Sequence, residues 1–129
     1  MDIKENINGI QHIGLPTKDL AATIAFYGRF GFEVEWKGVT PAGENVAFLR
    51  CGNCVYETYD CPEPVGASGA IDHISLDVKD IEAAYEYVRA QGFEAIQGEI
   101  CFLPFYEKGV RFFTIEGPNA EKLEFNQKL

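Results

Sequence analysis

Gln11-His12-Ile13-Gly14-Leu15-Pro16-Thr17-Lys18-Asp19-Leu20 and Asp72-His73-Ile74-Ser75-Leu76-Asp77-Val78-Lys79-Asp80-Ile81 are two versions of one pattern. They align without a gap at an offset of 73 − 12 = 61 residues. The same offset pairs Ala22 with Ala83, Phe26 with Tyr87, and Gly31-Phe32-Glu33 with Gly92-Phe93-Glu94. Similarity of this length marks a duplicated unit, and two copies are too few for a solenoid. The expectation is one domain over residues 1–129, with module one at about 8–60 and module two at about 70–127. Asp60 to Gly69, with Pro62, Pro64, Gly66 and Gly69, reads as the linker.

Working outward, each copy opens with an alternating run, Ile10 to Leu15 and Ile71 to Val78, the mark of a half-buried strand. Asp19 and Asp80 stand where a helix N-cap belongs, and apolar residues then recur at helical spacing: Leu20, Ile24 and Tyr27, then Ile81, Ala84, Tyr85 and Val88. Gly31 and Gly92 stop the two helices. Strands are predicted at Phe32–Lys37, Asn45–Cys51 and Cys54–Tyr59, and again at Phe93–Gly98, Val110–Glu116 and Lys122–Asn126. Gly52-Asn53 and Gly117-Pro118-Asn119 supply the matching turns. Each half is therefore strand, helix and three strands, an α+β arrangement.

Composition narrows the function. Apolar residues make up 47% and charged residues 24%, ordinary for a folded chain. The net charge of −9 argues against nucleic acid and against an anionic membrane surface as partners. No window approaches the roughly 20 apolar residues of a membrane span. The polar start, Met1-Asp2-Ile3-Lys4-Glu5-Asn6, has no apolar signal core, so a cytoplasmic setting is expected. Cys51-Gly52-Asn53-Cys54 has C-x-x-C spacing, but Gly52-Asn53 reads as a tight hairpin turn. Free thiols are the expectation for these two cysteines and for Cys61 and Cys101.

The chemistry sits on the repeat. The chain has two histidines, His12 and His73, at equivalent places on the first strand of each half. Glu57 in Val55-Tyr56-Glu57-Thr58-Tyr59 and Glu124 in Lys122-Leu123-Glu124-Phe125-Asn126 lie on the last strand of each half, after a turn. By alternation each glutamate points opposite to its apolar neighbours, away from a helix-covered face. If the halves curl their sheets around a shared cavity, two imidazoles and two carboxylates converge there. That donor set suits a borderline to hard divalent ion such as zinc, nickel, cobalt, manganese or iron. Phe102-Leu103-Pro104-Phe105-Tyr106 reads as an apolar loop over a pocket mouth or at a dimer contact. Phe105 and Tyr106 are candidate substrate contacts, and Arg111 and Arg50 are strand-borne cations that either hold a substrate carboxylate or phosphate or form solvated surface.

Taken together, Gln11-His12-Ile13-Gly14-Leu15, Phe26-Tyr27 before Gly31-Phe32-Glu33, and the closing run from Phe112 to Phe125 resemble the vicinal oxygen chelate superfamily. That group includes glyoxalase I, methylmalonyl-CoA epimerase, extradiol dioxygenases and drug-resistance proteins. The resemblance implies tandem βαβββ modules forming an open, cup-shaped mixed sheet with helices outside. It implies one divalent metal ion, zinc or nickel first, on His12, Glu57, His73 and Glu124, in the His, Glu, His, Glu order of glyoxalase I. The epimerase pattern has Gln where this chain has Glu57, and the dioxygenase pattern uses two His and one Glu. The implied activity is that of a metal-dependent lyase or isomerase, like lactoylglutathione lyase. Glu124, or else Glu57, would abstract a proton next to the carbonyl of a small hydroxy-carbonyl or thiohemiacetal substrate. Bacterial glyoxalase I has an arginine shortly after the first histidine where this chain has Leu15 and Pro16, so the substrate need not carry glutathione. The alternatives are an epimerase of the methylmalonyl-CoA type and a non-catalytic small-molecule-binding module. A homodimer is expected from the resemblance.

Overall fold

Asp19 and Asp80 do cap helices. Their carboxylates accept from the backbone N–H of Ala22 and Ala83, both at 3.0 Å, which satisfies donors the first turn leaves orphaned. These helices are α2 (Leu20–Gly28) and α3 (Ile81–Ala90). Both end alike: Gly31 at φ 89° and Gly92 at φ 91° take the left-handed position. Phe32 N–H then reaches back to Tyr27 O, and Phe93 N–H to Val88 O, both at 3.2 Å.

The computed structural model describes residues 1–118 and 120–129. The chain divides into two compact units, His12–Asp72 and a second made of Met1–Gln11 with His73–Leu129. The first strand, β1 (Ile7–Thr17), contributes to both. It is longer at each end than the run Ile10 to Leu15, because polar and glycine positions pair in it as well.

The first unit contains β1 from His12 onward, α2, β2 (Glu33–Val39), β3 (Asn45–Cys51) and β4 (Cys54–Asp60), with strand order β2-β3-β4-β1. β1 and β4 run parallel, and the other neighbours are antiparallel. Gly52, at φ 60°, turns β3 into β4 and sets Cys51 opposite Cys54, with both thiols free. Leu20, Ala47 and Leu49 form the core between α2 and the sheet, with Ile24, Tyr27, Phe32 and Tyr56 packed against them.

The second unit repeats the plan. It contains β1 through Gln11, α1 (Ile3–Asn6), β5 (His73–Val78), α3, β6 (Cys101–Leu103), β7 (Val110–Glu116) and β8 (Lys122–Lys128), with order β1-β5-β8-β7-β6. β5 and β8 are parallel, as β1 and β4 are in the first unit. Its core joins Val78, Ile81, Ala84 and Val88 to Phe113, Ile115 and Phe125. The fold is therefore α+β, built of two βαβββ modules in a mixed sheet.

Asn6 explains why the first eleven residues belong here. Buried, it accepts from the N–H of Lys79 (2.9 Å) and Asp80 (2.8 Å) and donates to Asp80 O (2.8 Å), clamping the start of α3. The short helix α1 that carries it was not foreseen.

One predicted strand is absent. Phe93–Gly98 is irregular, and a three-residue β6 further on takes its place. The segment still follows β7: Ile96 N–H donates to Thr114 O at 2.7 Å, and the Gln97 side chain accepts from Thr114 N–H at 2.9 Å. A side-chain amide thus replaces the next backbone rung, and Gly98 at φ 79° turns the chain away. β5 begins at His73 rather than Ile71. The expected turn at Gly117-Pro118-Asn119 includes Asn119, which lies outside the described residues.

Candidate functional site

In the first unit, Ala47, Leu49 and Tyr56 face α2, so their strand neighbours Phe48 and Glu57 face the other way. Phe48 and Glu57 are cross-strand partners. His12, buried on β1, sets its ring edge-on to Phe48, with centroids 5.5 Å apart. Its Nε2 lies 3.5 Å from Glu57 Oε1.

The second unit holds the counterpart. Phe113, Ile115, Leu123 and Phe125 face α3, which sends Thr114 and Glu124 to the opposite face as cross-strand partners. His73 Nε2 lies 3.8 Å from Glu124 Oε1. Glu57 and Glu124 are 9% and 8% exposed, so each carboxylate is withheld from bulk water.

Both His–Glu separations exceed a hydrogen bond. Two donor atoms bound at about 2.1 Å to one ion, at tetrahedral to wider angles, lie roughly 3.4 to 3.8 Å apart. Buried imidazole and carboxylate at this spacing fit a hard or borderline divalent ion. Each unit thus carries half of the donor set read from the repeat.

Behind each glutamate, two residues on, stands a polar side chain. In the second unit Asn126 Nδ2 donates to Glu124 Oε2 at 3.3 Å, and Gln11 Nε2 donates to Asn126 Oδ1 at 2.9 Å. In the first unit the equivalent positions are Tyr59 and Asp72, whose side chains are hydrogen-bonded. Burial, then the charges of Asp72 and Glu57, push the Tyr59 hydroxyl far above the ordinary phenol range, so it stays protonated. Asn126 and Gln11 were not singled out from the sequence. The available signal was their adjacency to Glu124 and His12.

Arg111 alternates with Phe113 toward the helix side of β7, and its guanidinium meets Glu82 of α3 at 3.3 Å. Arg50 is engaged by Glu35 on the neighbouring strand and by Gly52 O. Phe105 is buried before β7. Tyr106, at φ 59°, places its ring 4.0 Å from the Lys128 ammonium. Lys128 shares the face of Glu124 but lies four residues along β8, roughly 13 Å away.

The sequence pattern of the Glyoxalase/Bleomycin resistance protein/Dioxygenase superfamily matches residues 9–100. The chain belongs to this superfamily. His12, Glu57 and His73 fall inside the matched residues, and Glu124 stands beyond them, on the repeat and on its pairing with His73. The uncharacterized protein YwbC of Bacillus subtilis (strain 168) is 32% identical over 127 residues, covering 92% of this chain and 97% of that one. Methylmalonyl-CoA epimerase from Mycobacterium tuberculosis shares the fold at a TM-score of 0.78 and 17% identity, over 95% of this chain and 89% of that chain. The Mn(II)-bound glyoxalase from Novosphingobium aromaticivorans does so at 0.65 and 22%, over 95% and 39%. Among the described residues, no helix is long and apolar enough to cross a membrane.

Proposed function

We propose that His12, Glu57, His73 and Glu124 hold one divalent metal ion and that the chain is a glyoxalase I-like lyase or isomerase. The observation that carries this reading is the matched pair of buried His–Glu couples, one per unit, with the same atoms, Nε2 and Oε1, turned to each other. Oxygen and nitrogen donors without thiolate favour zinc or nickel, with cobalt, manganese and iron compatible.

When bound, such an ion polarises the substrate carbonyl and offsets the charge that develops on its oxygen. The chain's own part is proton transfer. Glu124, its Oε2 held by Asn126, takes the proton from the carbon beside the carbonyl. Returning it to the neighbouring carbon isomerises the substrate, and returning it to the same carbon epimerises it. Glu57 is the second choice for the base. A carboxylate at Glu57 as the fourth ligand, where the epimerase pattern has an amide, favours the glyoxalase I type. Phe105 and Tyr106 are assigned to the part of the substrate remote from the reacting carbon. Arg111 is left out because it faces α3. A homodimer in the cytoplasm belongs to the same reading, and sedimentation velocity tests the dimer.

The test is turnover of methylglyoxal–glutathione hemithioacetal, a glutathione-free hydroxy-carbonyl and a branched acyl-CoA, with deuterium uptake followed in heavy water. Glu124→Gln keeps a coordinating oxygen but cannot take a proton, so turnover is expected to fall roughly 10²–10⁴-fold with KM little changed. Unchanged turnover removes Glu124 as the base. Metal-free protein that binds a small molecule without exchanging any proton supports the non-catalytic alternative instead.

A further inference from the structure

We infer that Asn126 is the positioning residue of Glu124, with its orientation set by Gln11 and Asp77; this rests on the reading of Glu124 as ligand and base. Asn126 is 3% exposed, and its Nδ2 donates to Glu124 Oε2 at 3.3 Å.

The direction of every hydrogen bond in the chain is forced. Asp77 offers only acceptors, so Gln11 must turn its Nε2 toward Asp77 Oδ1, 2.9 Å away. That same amide nitrogen then also meets Asn126 O at 3.1 Å and Asn126 Oδ1 at 2.9 Å. Asn126 therefore presents oxygen to Gln11 and its Nδ2 hydrogens to Glu124 Oε2. Acceptor-only carboxylates at both ends leave one consistent arrangement of the two amides. Asp77 is itself anchored by Asn8 Nδ2 at 2.7 Å.

The result for Glu124 is division of labour between its oxygens. Oε2 is tied down by a neutral donor, and Oε1 is left on the side of His73. A buried carboxylate without that tether retains its rotamers about the last torsion and spends part of its time off the productive one. The first unit has no amide pair at the equivalent positions. A phenol and a carboxylate, Tyr59 and Asp72, stand there instead. The duplicated halves have thus diverged behind their glutamates, and Glu124 is the one with an amide pair behind it.

The experiment compares wild type with Asn126→Leu, which keeps the shape and removes the donor, and Gln11→Leu, which frees Asn126 to flip. Zinc and nickel affinities are measured by chelator competition, alongside kcat, KM and the melting temperature of the metal-free proteins. Asn126→Leu is expected to lose about 10–100-fold in metal affinity or in kcat, with KM and metal-free melting nearly unchanged. Gln11→Leu should lose less, in the same quantities. If wild type binds metal and both variants match it in affinity and kcat, Asn126 has no positioning role. If wild type binds no divalent ion, the functional reading falls and this inference with it. Should Asn126→Leu fail to fold, Gln11→Leu decides the question by the same readouts.

Discussion

Thr58 Oγ1 is fully buried beside Glu57 and finds no hydrogen-bond partner among the described residues. A hydroxyl desolvated without return costs about 1–3 kcal/mol, and an apolar isostere removes that cost. Thr58→Val is therefore expected to stabilise the chain by about 1 kcal/mol, read as a rise in the urea midpoint at unchanged slope. A lower midpoint would mean that the hydroxyl is satisfied. At this scale the sequence was informative where residues are few and aligned. His12 and His73 are the two histidines and occupy one repeat position. The face that Glu57 and Glu124 take, opposite their apolar neighbours, was legible from strand alternation after a turn. Asn126 and Gln11 were not, because 115 residues separate them and only rotamers reveal that their amides meet. Arg111 was read as a ligand-side cation, since a strand residue's side is fixed only once its neighbours Phe113 and Ile115 are known to face a helix.

Helix α2 docks on β4 through Tyr27 and Tyr56, whose ring centroids are 4.6 Å apart. The hydrogen bond with Tyr27, then burial, push the Tyr56 hydroxyl from 10.0 up to about 12. The folded chain thus gives up this proton less readily than the unfolded chain. The resulting stabilisation is fully present below pH 10 and is lost as pH rises toward and past about 12. Denaturation midpoints should fall across that window, and Tyr27→Phe should flatten the fall by removing the larger cause. Equal alkaline slopes for the two proteins would discard this account. Elements themselves were well forecast where local chemistry is decisive. Both caps and both left-handed glycines are where the sequence puts them. The strand expected at Phe93–Gly98 failed because its β propensity is local, whereas rungs depend on a partner, and Thr114 is met by Gln97's side chain instead.

Across the molecule, the repeat made the two βαβββ modules readable, each with its own first strand paired parallel to its last. Residues 1–11 are counted with the second unit. The proposed ion binds the folded chain and not the unfolded one, so binding it should stabilise the fold. At a hundredfold excess over the dissociation constant the gain is about 2.7 kcal/mol, a rise in melting temperature on the order of 10 °C. Calorimetry with and without zinc or nickel measures it, and a chelator should reverse it; an unmoved transition counts against the ion. The allegiance of β1's opening residues has one more consequence. Their neighbour β5 is made more than sixty residues after Ile7–Gln11. Until then the growing chain carries that segment without its strand neighbour, which lies on the far side of the whole first module.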